Sequence, residues 1–172
     1  PELTSCDAVF LAVPHTAAMA QVPALLAAGV SCIDLSADYR LSDPAVFEAW
    51  YAAEHTSPEL LKSRAFGLPG LFCQDLETAA SDHADGKPVL VACAGCYPTA
   101  TSLAAAPAVR VGWVAQSGPV IVDAISGVTG AGKSCNARTH FCSADENLEA
   151  YGAVSYNHLT LPTICRVVNH AG

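Results

Sequence analysis

Asp7-Ala-Val-Phe-Leu-Ala-Val13 and, beyond Gly29, Val30-Ser-Cys-Ile-Asp-Leu35 are short apolar runs separated by an alanine-rich stretch. A continuous apolar run suits a strand buried on both faces of a parallel sheet. Residues 15 to 29 read as the intervening helix, stopped by Gly29. Strand, helix and strand in that order are the building block of a doubly wound α/β sheet. Downstream, Asp43-Pro44 opens a second helical stretch through Phe47, Trp50 and Tyr51, and a turn-rich segment contains Gly67-Leu-Pro-Gly70. Pro88-Val-Leu-Val-Ala92 reads as a third core strand, residues 98 to 109 as a helix, and Pro119-Val-Ile-Val-Asp-Ala-Ile125 as a fourth strand between glycines. From Gly127 the composition turns to Gly, Ser, Thr and Asn and the rhythm ends, which places a domain boundary near Gly95.

The 172 residues are 52% apolar and 14% charged, enough for a buried core and unlike a disordered chain. The net charge is −8, and Lys and Arg are scattered singly, so no basic stripe is available to nucleic acid. No apolar run reaches the ~18 to 20 residues of a membrane span, and Pro1-Glu2-Leu3-Thr4 is unlike a signal peptide, which implies a cytoplasmic protein. In that setting the eight cysteines read mostly as free thiols, several of them small buried apolar residues.

Ala94-Gly95-Cys96-Tyr97-Pro98-Thr99-Ala100-Thr101 follows a strand and opens a helix. Proline suits the first helical position, which sets Pro98 there and Cys96 immediately before the helix. A thiol so placed meets unpaired backbone N–H groups and the positive end of the helix dipole, and both favour the thiolate. The same N–H groups, with the Thr99 and Thr101 hydroxyls, are suited to an oxyanion or a phosphate. A buried cysteine closing a strand is the plainer reading of the same residue.

Two other motifs compete. Cys93 and Cys96 form a C-x-x-C pair, but Cys93 falls at the end of the strand and no second pair supplies further zinc ligands. Gly127-Val-Thr-Gly-Ala-Gly-Lys133-Ser134 matches a nucleotide-binding P-loop letter for letter. Ser134 to His140 is nevertheless a poor helix former, and no later apolar strand ends in a magnesium-binding Asp. What survives is a backbone built for close approach to a ligand.

Together, Ala94-Gly-Cys-Tyr-Pro-Thr-Ala100 and Ser126-Gly-Val-Thr-Gly-Ala-Gly-Lys133 resemble the N-acetyl-gamma-glutamyl-phosphate reductases of the semialdehyde dehydrogenase family. Phe10-Leu-Ala-Val-Pro-His15, Ile33-Asp-Leu-Ser-Ala-Asp-Tyr-Arg40 and Asp145-Glu-Asn-Leu-Glu-Ala-Tyr-Gly152 agree, so the resemblance covers residues 7 to 158. It implies an NADP-binding Rossmann domain over residues 1 to 94, lacking its N-terminal part. A mixed α/β catalytic domain of the semialdehyde and glyceraldehyde-phosphate dehydrogenase type follows over 95 to 172, also incomplete.

The resemblance further implies that Cys96 is the nucleophile and His158 the acid/base. Pro14, His15, Ser36, Thr129, Gly130 and Gly132 become expected NADP contacts, and Thr99, Arg40 and Lys133 expected contacts to an acyl phosphate substrate. It implies a homo-oligomer, with neither nucleic acid nor membrane as partner. The expected reaction is NADPH-dependent reduction of N-acetyl-L-glutamyl 5-phosphate to its semialdehyde in arginine biosynthesis, or of a sibling acyl phosphate. An inert or binding-only chain is the contrasting expectation. The sequence departs from the pattern at Cys93-Ala94, where the family has Asn-Pro, and the glycine-rich dinucleotide fingerprint is absent. After His158 the likeness ends, so residues 159 to 172 read as foreign.

Overall fold

A computed structural model describes residues 3–114 and 121–149. Four parallel strands, β1 (Ala8–Leu11), β2 (Ser31–Asp34), β3 (Ala65–Gly67) and β4 (Leu90–Cys93), lie in the order β1-β2-β4-β3. The register pairs Phe10 with Ile33, Ile33 with Val91, and Phe66 with Ala92. The α/β class and the parallel sheet expected from the apolar runs are therefore present.

One side of the sheet carries the main core. Val9, Leu11, Cys32, Leu90 and Ala92 meet Met19, Val22, Leu25 and the fully buried Tyr39 and Phe47. A smaller cluster of Leu68, Leu71 and Ala106 joins the segment after β3 to α4 (Cys96–Arg110). Gly67 closes β3 opposite Cys93, and a Cβ there would stand 2.9 Å from Cys93 Sγ and 3.1 Å from Cys93 Cα. Backbone on one side leaves no room to yield, so Gly67→Ala is expected to cost about 1–3 kcal/mol in chemical denaturation. An unchanged denaturation midpoint would mean that the strands separate freely there.

The helix expected over residues 15 to 29 is shorter. α1 spans Val22–Ala27, and turns occupy the residues before it. The Asp38 carboxylate accepts the N–H groups of Thr16 (2.7 Å) and Met19 (3.0 Å), which holds that stretch in turns, with Thr16 left-handed at φ 72°. Gly29 stops α1 as expected, at φ 84°, and Val30 N–H returns to Leu25 O. α2 (Pro44–Tyr51) begins where Asp43-Pro44 directs it, with Asp43 Oδ1 accepting the Ala45 N–H at 2.9 Å.

The sequence reading missed β3 and α3 (Cys73–Ala84). It also expected a strand at 119 to 125. Residues 119 and 120 lie outside the described residues, and 121 to 125 form no strand. Ile121 is 91% and Ile125 82% exposed, so no described layer covers the run as a two-sided parallel strand requires. Among the described residues no helix is long and apolar enough to cross a membrane.

Candidate active site at the carboxyl ends of β2 and β4

Cys96 is itself the first residue of α4, further into the helix than expected, with Gly95 as its cap. The first intrahelical bond runs from Thr99 N–H to Gly95 O at 2.9 Å. Pro98 is thus third in the helix, where its nitrogen would have had no partner in the ladder, and proline is tolerated there for the same reason as at the first position. The Cys96 side chain is exposed, and Thr99, three residues on, lies on the same helix face.

Arg40 reaches this turn from the loop that follows β2. Its Nε donates to Cys93 O at 2.8 Å and its Nη2 to Leu35 O at 2.6 Å, tying the ends of β4 and β2 together. Its Nη1 faces Gly95, where an added Cβ would stand 3.2 Å away. A guanidinium therefore lies against the backbone that leads into the exposed thiol. The carboxyl ends of parallel strands are where ligands bind in such sheets.

Buried acids and hydroxyls hold the loop that carries Arg40. Ser36 Oγ accepts the Asp38 N–H at 3.1 Å, and His55 Nδ1 accepts the Ser57 N–H at 3.3 Å, so His55 Nε2 carries the proton donated to Asp38 O at 2.8 Å. Tyr39 OH and Ser57 Oγ are 2.7 Å apart, and burial pushes the phenol up to about 12. Of the expected cofactor contacts, Ser36 is 3% exposed and engaged within this loop. Pro14 and His15 are exposed beyond β1, with the His15 ring edge-on to Tyr51 at 5.3 Å.

Asp34 lies at the end of β2, fully buried. Its Oδ1 accepts the Ser36 N–H at 2.8 Å, whereas its Oδ2 has no partner among the described residues. Burial raises the pKa of this carboxyl, opposed by the Ser36 hydrogen bonds. The raised native value means that Asp34 contributes stability below the unfolded carboxylate range and loses it as pH rises through the native value. Asp34→Asn keeps an acceptor for Ser36 and is expected to lose less stability than the native chain between pH 4 and pH 7, measured by urea midpoints. Parallel curves for the two proteins would contradict a buried carboxylate.

Thr129, Gly132 and Lys133 line an open hollow of about 410 Å³, whose walls come wholly from residues 128 to 141 and include neither Cys96 nor Arg40. Gly130 stands beside it, where a Cβ would meet Ser126 Oγ at 2.8 Å. The loop forms a 3-10 turn (Val128–Ala131), and no helix follows until α5 (Phe141–Ala144). A P-loop needs a helix directly after its lysine, so the nucleotide-hydrolase reading fails on geometry. His158 and the segment 159 to 172 lie outside the described residues, as does Cys165. The seven described cysteines are free thiols.

Residues 1–89 match the family model described as the semialdehyde dehydrogenase NAD binding domain, and residues 96–170 the one described as the semialdehyde dehydrogenase dimerisation domain. The chain belongs to the semialdehyde dehydrogenase family. Curated relatives include the N-acetyl-gamma-glutamyl-phosphate reductases of Halorhodospira halophila and Janthinobacterium sp., each 46% identical over 157 residues. That of Symbiobacterium thermophilum is 43% identical over 162 residues. These alignments take in 91%, 91% and 94% of this chain but 43% of each relative, so the chain spans less than half the length of the relatives it matches. The dimerisation-domain match runs into the segment that the sequence reading took as foreign.

The sequence reading singled out Cys96 and Arg40 but passed over Asp34, Asp38, His55 and Arg64, which hold the Arg40 loop. Asp34 stands in a run read as a strand, Asp38 in a stretch read only for its likeness to the family, and His55 and Arg64 lie in irregular backbone beyond α2, where no local pattern marks them.

Proposed function

We propose that this chain carries the acyl-transfer centre of an NADPH-dependent reductase. The enzyme would convert N-acetyl-L-glutamyl 5-phosphate to N-acetyl-L-glutamate 5-semialdehyde and phosphate, in arginine biosynthesis in the cytoplasm. The observation that carries this reading is the exposed Cys96 heading α4 with the Arg40 guanidinium against Gly95. The names of the relatives support the choice of acyl phosphate.

The Cys96 thiolate attacks the acyl carbon, the carbon–oxygen bond to phosphate breaks, and inorganic phosphate departs, which leaves a thioester on Cys96. Arg40 and Thr99 meet the phosphate or the carboxylate of the substrate, with Lys133 as a further cation. The amides ahead of Thr99 stand outside the helical ladder and are aimed to stabilise the oxyanion. His158 supplies the acid/base on sequence position alone.

A bound nicotinamide nucleotide would supply hydride to the thioester carbon. The fit to that group is partial. Pro14 and His15 offer an exposed edge, and Thr129, Gly130 and Gly132 an exposed loop, whereas the loops at the carboxyl ends of the sheet carry no glycine-rich pyrophosphate cradle. The residues of this chain are therefore assigned the acyl-transfer half of the reaction, and NADP in preference to NAD follows from the resemblance. A homo-oligomer is proposed in keeping with the dimerisation-domain match. The test is acylation itself: incubation with N-acetylglutamyl 5-phosphate should add one acyl group to Cys96, and an unmodified thiol would refute the proposal.

A further inference from the structure

Arg64, immediately before β3, is a half-buried arginine whose hydrogen-bond partners are all neutral. Its Nε donates to Tyr39 O, its Nη1 to Leu61 O at 3.3 Å, and its Nη2 to Arg40 O at 3.0 Å and to Ser42 Oγ at 3.1 Å. The Phe66 ring lies 5.8 Å from the guanidinium carbon. Such a group is costly to desolvate, and burial lowers the Arg64 pKa.

What distinguishes Arg64 is its aim. Two of its acceptors are the successive carbonyls of Tyr39 and Arg40, the peptides from which the Arg40 side chain springs. The Asp38 carboxylate, one residue earlier, is already taken by Thr16 and Met19. The planar fork of Arg64 thus fixes the direction in which Arg40 leaves the backbone, and among the described residues no acid is bonded to its positive charge. We propose that Arg64 is a positioning residue for the anion site: it sets the Arg40 guanidinium against Cys93 O and Gly95 and adds positive potential there, so that a phosphoryl group is received beside Cys96. This inference rests on the proposed function and deepens it.

The probe is inorganic phosphate, read as the concentration that half-protects Cys96 from iodoacetamide. Arg64→Lys keeps a charge but cannot span both carbonyls. It is expected to raise that concentration by about tenfold, with the rate of Cys96 alkylation in the absence of phosphate within about twofold of the native chain, on the tenfold-per-1.4 kcal/mol scale. Ser42→Ala removes one exposed contact to Arg64 and is expected to shift protection in the same direction by about two- to threefold, which keeps the test available if Arg64→Lys folds poorly. Native half-protection in both variants would overturn the positioning role. Alkylation without phosphate that changes as much as protection would also overturn it, because general loosening would then explain the effect. If phosphate fails to protect Cys96 in the native chain, the proposed function itself fails, a result distinct from either.

Discussion

Cys96→Ser is expected to abolish acyl transfer from N-acetylglutamyl 5-phosphate, lowering the rate on the order of 10³-fold or more, as loss of a nucleophile does elsewhere. The hydroxyl occupies the same helix head but ionises far less readily than a thiol, so the dipole and the open amides have no anion to stabilise. Among the described residues, the neighbouring thiols offer no substitute within the site. Cys32 is fully buried, and its thiol is pushed up to about 11 by burial and by Asp34. Cys93, three residues away, is half-buried and raised by the same two causes. Cys93→Ser should accordingly leave acylation within a few fold of the native chain. Equal losses in the two variants would contradict the assignment of Cys96, and mass analysis of the acylated chain separates the cases.

The largest loss of stability is expected at Phe47→Ala. Phe47 is fully buried, stacked on Tyr51 at 4.8 Å and edge-on to His55 at 5.1 Å. Truncating a buried phenylalanine costs about 3–5 kcal/mol, because the aromatic contacts are lost and the cavity collapses only partly. The consequence extends to the site, since His55 donates to Asp38 O and Asp38 holds the turn at Thr16 and Met19. Denaturant midpoints should show the loss, and a cost below about 1 kcal/mol would mean that α2 is not part of the main core.

The parts of the fold that the sequence declared are those in which one physical signal acts alone. β1 and β4 are runs that no polar residue interrupts, β2 is a short run set off by Gly29 that carries Ser31 and Asp34 among its apolar residues, and α2 starts at an Asp-Pro pair that caps and orients it. β3 escaped because it has three residues, too few for a period to show. α3 escaped because it is mostly polar, with Ala79 as its one buried residue. α1 was read too long because Asp38, far along the chain, takes N–H groups from residues that look helical in isolation.

The site divides in the same way. Cys96 was legible because strand, glycine, cysteine and proline lie within a few residues of one another. The placing of Arg40 by Arg64 and His55 depends on contacts between residues 17 to 25 apart, and no local pattern encodes those. The run 121 to 125 had the composition of a strand, yet no described layer covers it.

The most direct test of the account is the mass of the chain after exposure to N-acetylglutamyl 5-phosphate without reductant. The account predicts one added acyl group, mapped to Cys96 and released by hydroxylamine as a thioester should be. A chain that stays unacylated while Cys96 alkylates freely, or one acylated at another cysteine, would contradict it.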